Sequence, residues 1–209
     1  MKYDQVTKSL RQAYDAAATE RERAEESPWK LEERTRYLTR LEQEGRHRLL
    51  EVGAGTGVHG KWFADRGLTV VCTDLSPELV KLCRAKGLEA HVMDFLALDL
   101  PGAFEAVFAM NCLLHVPREN FRSALVSIAR TLEPGGLFYL GQYGGQDLEG
   151  EFEGDHYTPK RFFSRWTDKA LRGELEREFE IVDFHRVSLG EDRADAGHFQ
   201  SFTCRNVRT

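Results

Sequence analysis

A hydrophobic run ending in an acid and three alternating glycines, LLEVGAGTG at Leu49–Gly57, constrains this chain more than any other stretch. Leu49, Leu50 and Val52 read as a short buried strand, and Val58 to Arg66 as the helix behind it. Between them stand Gly53, Gly55 and Gly57. Glycine has no Cβ and tolerates positive φ, so such a turn lets a ligand lie against bare backbone. The first turn of the following helix adds N–H groups with no partner inside the helix. Strand, glycine turn and helix together predict a site for a nucleotide-type cofactor.

The surrounding chain repeats this alternation. Strands are expected at 48–52, 69–73, 89–93, 104–110 and 136–142, and helices at 58–66, 77–86 and 118–132. Such alternation makes parallel strands with right-handed crossovers, hence an α/β sandwich of three layers. Val70-Val71 and Phe104–Met110 are nearly continuous apolar runs, as strands covered on both faces require. Ahead of this core, Tyr3, Val6, Leu10, Tyr14 and Ala17 share one helical stripe; Ser27-Pro28 breaks it, and Leu31, Tyr37, Leu38 and Leu41 predict a second helix. Residues 141–157, rich in glycine and carrying Asp147, Glu149, Glu151, Glu153 and Asp155, read as a loop or lid and not a core element. Phe162, Phe163 and Trp166 read either as aromatic walls of a ligand pocket or as a core cluster at the start of a helix. A helix over 167–178 and strands at 180–188 and 197–205 close the chain, the two strands pairing antiparallel across the polar turn Gly190 to Gly197.

The 209 residues suit a single domain over 1–209. A net charge of −5 argues against long nucleic acid as a partner, because phosphate binding needs a concentrated basic surface. Cys72, Cys83, Cys112 and Cys204 are scattered with no CxxC pair, which predicts reduced thiols and no metal site. No apolar run approaches the ~18 residues of a membrane span, and no signal-like stretch precedes the first helix, so a cytoplasmic protein with no membrane contact is expected.

Ligands of open parallel sheets sit beyond the carboxyl ends of the strands, where strand order switches. Asp74 ends the second expected strand, and a carboxylate there can accept both ribose hydroxyls of a nucleoside. Asp94 follows the third strand, with Phe95 offering a face for adenine, and Asn111–Pro117 (NCLLHVP) follows the fourth. A dinucleotide GxGxxG fingerprint would need glycine where Val58 stands, and GxxxxGK[ST] is absent.

In order and spacing over residues 45–142, these motifs resemble the class I S-adenosylmethionine-dependent methyltransferase family. Glu51–Gly57 matches its glycine motif, Asp74 the ribose position, Asp94-Phe95 the adenine position, FEAVFAMNCLLHV (104–116) the fourth strand and LEPGG (132–136) the turn before the fifth. The resemblance implies a Rossmann-like three-layer sandwich whose seven-stranded, mostly parallel sheet has order 3-2-1-4-5-7-6, strand 7 antiparallel. It divides the chain into a helical lid (1–44), a cofactor core (45–142), an acceptor-side loop (143–166) and a C-terminal helix and hairpin (167–209). The implied activity is transfer of a methyl group from S-adenosylmethionine to an O, N, S or C nucleophile of a small-molecule acceptor, leaving S-adenosylhomocysteine.

The resemblance also implies roles for single residues. Gly53, Ala54, Gly55 and Gly57 would floor the methionine moiety and ribose, with Glu51 near the cofactor amino group. Asp74 and Leu75 would take the ribose, Asp94 and Phe95 the adenine, Asn111 the methionine backbone and His59 its carboxylate. Tyr14 and Trp29 would close as a lid, although both equally suit core contacts. His115 is the expected base or acceptor contact, or else a loop residue bonded to backbone. Tyr143, His156, Tyr157, Arg161 and His198 would build the acceptor pocket. The acidic run 147–155 suits either a cationic acceptor or a solvated loop. No [ND]PP[YFW] follows the fourth strand, against DNA amino-methylation, and no clustered aspartates suggest a catalytic metal. A monomer or homodimer is expected. Two other readings stand beside this one: a non-catalytic module with the same pocket, and an NAD-dependent oxidoreductase, against which Val58, LEPGG and the lack of a Tyr-x-x-x-Lys pair count.

Overall fold

β1 (Arg48–Val52) is buried on both faces because Leu49 and Leu50 point into opposite apolar layers, and the sheet is laid around it. It pairs in parallel with β2 (Thr69–Asp74) on one side and β4 (Phe104–Met110) on the other. β3 (Glu89–Val92) lies outside β2, and β5 (Leu132–Gly144) outside β4. The crossovers are α3 (Val58–Ala64), α4 (Pro77–Ala85) and α5 (Arg118–Thr131). The computed structural model describes residues 1–100, 103–189 and 197–208, so most of the expected turn at Gly190 to Gly197 lies outside the described residues.

β8 (Phe179–Val187) and β9 (His198–Asn206) follow α6 (Asp168–Leu175) and complete a seven-stranded sheet of order β3-β2-β1-β4-β5-β9-β8. β9 runs antiparallel to both neighbours, so the sheet has the expected 3-2-1-4-5-7-6 arrangement. Phe121, Leu125 and Ile128 of α5 pack with Leu50, Phe138 and Phe202 on one face. The other face joins Leu49, Phe108 and Tyr139 to Tyr37 and Leu41 of α2 (Pro28–Gln43) and Phe63 of α3. α1 (Tyr3–Arg23) lies across the carboxyl-end edge and adds only a small apolar cluster of Val6, Leu10 and Phe162. Among the described residues no helix is long and apolar enough to cross a membrane.

Residues 141–157 are not the plain loop that their composition suggests. β5 runs on to Gly144, and β6 (Leu148–Glu151) pairs antiparallel with β7 (Phe162–Arg165). Phe162 and Phe163 therefore belong to a strand, Phe162 and Ser164 inward, and not to a helix start. Two of the acids are held by Arg118: its backbone N–H donates to Glu149 at 2.8 Å, and its guanidinium pairs with Asp147 and donates to the Arg165 carbonyl at 2.8 Å. Composition hid this hairpin because β6 has no apolar alternation and takes its stability from a cation on another element.

α2 is pinned to the sheet by polar groups as well as by its apolar stripe. The Tyr37 hydroxyl donates towards the carbonyls of Val107 (3.0 Å) and Leu137 (3.1 Å). Buried Glu33 accepts from Tyr139 (2.9 Å), Ser201 (2.5 Å) and His185 Nε2 (2.8 Å). Burial opposes ionisation of Glu33, but the bonds from His185 and Ser201 outweigh it and hold the carboxyl below its usual range. The same bond to Glu33 raises His185. A lowered carboxyl stabilises the fold above its unfolded pKa of about 4.3, and a raised imidazole below its unfolded pKa of about 6.5. The pair therefore stabilises most between those values. We expect the stability gap between wild type and His185→Gln, from urea unfolding, to be largest at about pH 5–6 and to shrink as pH climbs past the raised histidine value. A gap independent of pH contradicts the assignment.

Candidate functional site

Parallel pairing brings the carboxyl ends of β1, β2 and β4 to one edge, so the turns that follow them face one another. Gly53 leaves β1 at φ 67°, and a Cβ there would lie 2.3 Å from Cys112 Cβ, so only glycine fits. Asp74 ends β2 with its carboxylate fixed: Oδ2 accepts the Gly55 N–H at 2.8 Å and Oδ1 the Ser76 N–H at 2.9 Å. Burial nevertheless dominates and raises its pKa to about 6. Asn111 follows β4 at φ 54°, the one non-glycine residue with positive φ among the described residues. Its N–H donates to Gly141 at 2.7 Å, and its side-chain Oδ1 is buried with no hydrogen-bond partner. Strain of this kind persists where surrounding structure over-determines it, often at binding sites.

These groups floor a cavity of about 410 Å³. Gly53 to Thr56, Asp74, Leu75, Phe95, Asn111 and Cys112 line it from the sheet edge, Tyr14 and Arg21 from α1, and His59, His115, His156 and Tyr157 from the remaining walls.

A family model described as a methyltransferase domain matches residues 49–136. The ubiquinone biosynthesis O-methyltransferase of Xanthomonas oryzae pv. oryzae is 39% identical over 101 residues, 44% of this chain and 41% of that protein. The match thus spans less than half the length of this curated relative. Among solved structures, 1,6-didemethyltoxoflavin-N1-methyltransferase of Burkholderia thailandensis, with bound 1,6-didemethyltoxoflavin and S-adenosylhomocysteine, superposes with a TM-score of 0.75 at 22% identity, covering 100% of this chain and 92% of its own. The [4+2]-cyclase SpnF superposes at 0.63 and 22% identity, over 77% and 75% of the two chains. Residues 49–136 are thus similar to a methyltransferase domain, and the sheet has the fold of the solved S-adenosylhomocysteine-bound enzyme. The structural likenesses bear on fold alone, and the shared fold of SpnF and the toxoflavin enzyme shows that fold does not choose the activity.

Against that family frame, the expected residues divide. Tyr14, Gly53, Ala54, Gly55, His59, Asp74, Leu75, Phe95, Asn111, His115, His156 and Tyr157 all line the cavity. Glu51 does not: it is buried under the floor, accepting from the Gly60 N–H and, at 3.5 Å, from Cys72 Sγ. Burial raises it to about 8. Gly57 lies behind the floor, where a Cβ would meet Cys83 Sγ at 2.9 Å. Asp94 accepts the Tyr3 hydroxyl at 2.5 Å beside a small second cavity that Phe95 shares. Trp29 packs on Phe199 (4.5 Å between ring centres) and near Tyr143 (6.2 Å), away from the cavity lining. His198 bonds Asp168 at 2.7 Å, also outside it. Arg161 stands behind the wall, its guanidinium on Asp155 at 2.6 Å and 3.6 Å from the Tyr157 ring centre.

The partners fix one histidine tautomer. His59 Nδ1 lies between a donor and an acceptor, 3.0 Å from the Arg34 guanidinium and 3.4 Å from Glu26 Oε1. His115 Nδ1 lies 2.7 Å from the Phe162 carbonyl, which can only accept, so the proton is on Nδ1. His115 Nε2 then accepts the Tyr14 hydroxyl at 2.6 Å. Burial pushes both imidazoles down to about 3. The Tyr14 oxygen in turn accepts from Arg161 at 3.3 Å.

Sequence reasoning missed Tyr3, Arg21 and Arg34. Arg21 follows Tyr14 by two helical turns on the same face, a spacing that would have found it. We expect nitrogen-detected NMR to show His115 neutral, protonated on Nδ1, with no titration between pH 5 and 8. An imidazolium signal near pH 6 contradicts the geometry.

Proposed function

We propose that this chain transfers a methyl group from S-adenosylmethionine to a small-molecule acceptor. The observation that carries the reading is the pairing of a bare-backbone floor at Gly53–Gly55 with the fixed Asp74 carboxylate in one cavity of about 410 Å³, ample for a nucleoside with an amino-acid tail. Asp74 would accept the ribose hydroxyls beside Leu75, and Phe95 would cover the adenine. The unpartnered Asn111 Oδ1 suits the cofactor ammonium, and the His59 imidazole its carboxylate. Asp94 would reach the adenine edge only alongside Tyr3, and Glu51 would act through the floor it supports.

S-adenosylmethionine supplies a methyl on a cationic sulfur, which leaves as a neutral thioether when an acceptor lone pair takes the methyl. The chain's part is then mainly to hold the acceptor in line, which in ideal cases is worth roughly 7–11 kcal/mol. α1 and the β6–β7 hairpin form the acceptor wall: Tyr14 is held by His115 and Arg161, Tyr157 by Arg21 at 2.9 Å. His115 orients Tyr14 here; its lone pair is already taken, so it is a positioning residue and not a free base. The net charge of −5 favours a small acceptor over long nucleic acid, in a cytoplasmic protein acting as a monomer or homodimer.

Calorimetry should show micromolar binding of S-adenosylmethionine and S-adenosylhomocysteine and none of NAD. Asp74→Ala should weaken S-adenosylhomocysteine by about tenfold to a hundredfold with an unchanged circular dichroism spectrum, as expected for lost hydrogen bonds to a charged group. Wild-type affinity should also fall as pH drops below about 6, where Asp74 protonates. Binding of NAD alone, or an Asp74→Ala variant as tight as wild type, contradicts the proposal.

A further inference from the structure

The acceptor wall carries more positive charge than the described residues neutralise. Arg161 is satisfied, its guanidinium gripping Asp155 through Nη2 (2.6 Å) and Nε (3.0 Å). Arg21 is not. It lines the cavity, donates through Nη1 to the Tyr157 hydroxyl at 2.9 Å and lies 5.0 Å from the Tyr14 ring centre. Its Nε is buried with no hydrogen-bond partner, and no carboxylate among the described residues lies within ion-pair distance. Glu20 and Glu25 line the same cavity but are exposed, Glu26 pairs with Arg34, and Asp74 is bonded by the Gly55 and Ser76 N–H groups. A half-buried guanidinium that bonds only the Tyr157 hydroxyl and feels the Asp74 carboxylate across the cavity, with no ion pair among the described residues, is completed by a further anion. Arg is also the side chain whose planar fork best fits such a group.

Resting on the methyl-transfer reading, we infer that the acceptor binds as an anion, its charge set against Arg21 between Tyr14 and Tyr157. The acceptor class is a small molecule whose nucleophile is itself an acidic O–H, N–H or S–H. This explains why the site manages with a histidine whose lone pair is committed to Tyr14. An acidic acceptor releases its proton to solvent on binding. Its lone pair then forms the bond to the methyl carbon, the sulfur–carbon pair stays on sulfur, and the positive sulfonium and negative acceptor charges cancel. No proton remains for a base to remove.

The test uses 4-nitrophenol, whose ionised form is coloured, with the full chain saturated by S-adenosylhomocysteine. The probe should bind as the phenolate, about tenfold or more tighter than as the phenol, so that its apparent pKa falls by about one unit or more. Arg21→Gln should abolish that shift while binding S-adenosylhomocysteine as wild type does, and Arg21→Lys should keep part of it. An unshifted or raised probe pKa, no probe binding, or a shift that survives Arg21→Gln overturns the inference. So does an Arg21→Gln variant that loses affinity for S-adenosylhomocysteine but not for 5′-methylthioadenosine, since Arg21 would then hold the cofactor carboxylate. Failure of wild type to bind S-adenosylhomocysteine at all would instead strike the methyl-transfer reading.

Discussion

The parallel pairing of β1 between β2 and β4 is the constraint on which the rest depends. Its register sets Val52 opposite Thr73 and Glu51 opposite Phe108, so the three strands end within a residue or two of one another. Each chain then has to turn away at the same edge, towards a helix on one face or the other. Gly53, Asp74 and Asn111 are the residues at those turns, and their backbone angles and N–H bonds follow from the sharpness of the exits. A one-residue slip of β1 would exchange the apolar layers that Leu49 and Leu50 fill and misplace Gly53 against Cys112.

The two N-terminal helices are held by different physics. α2 shares the main apolar layer through Tyr37 and Leu41 and sinks Glu33 into a bonded pocket. α1 has a smaller apolar footing and relies on polar contacts made by its side chains: Tyr3 to Asp94, Tyr14 to His115, Asp15 to Ser76 and Glu22 to Lys86. Three of these contacts are part-buried and only Glu22–Lys86 is exposed, so polar bonds seat α1 on the carboxyl-end edge while the apolar stripe of α2 covers the sheet face.

Much of this was legible in the sequence, because the decisive signals are local. The run Leu49–Gly57 names its own strand, turn and helix start, and β4 and α5 show their burial as apolar periodicity. Asp74, Phe95 and Asn111 could be placed because strand ends are easy to find. The β6–β7 pair was hidden because its register depends on Arg118, far away in sequence. Trp29 and Tyr143 point to Phe199 instead of the cavity, and Glu51 turns beneath the floor towards Gly60; one-dimensional spacing cannot decide which side of a turn a side chain takes. The commitment of His115 to both Tyr14 and Phe162 is likewise a property of three separate elements meeting.

A crystal structure with S-adenosylhomocysteine should show the ribose hydroxyls on Asp74, the homocysteine tail over Gly53–Gly55 and the sulfur facing the Tyr14–His115 wall. A nucleoside bound elsewhere, or in the cavity with its ribose away from Asp74, would contradict that placement.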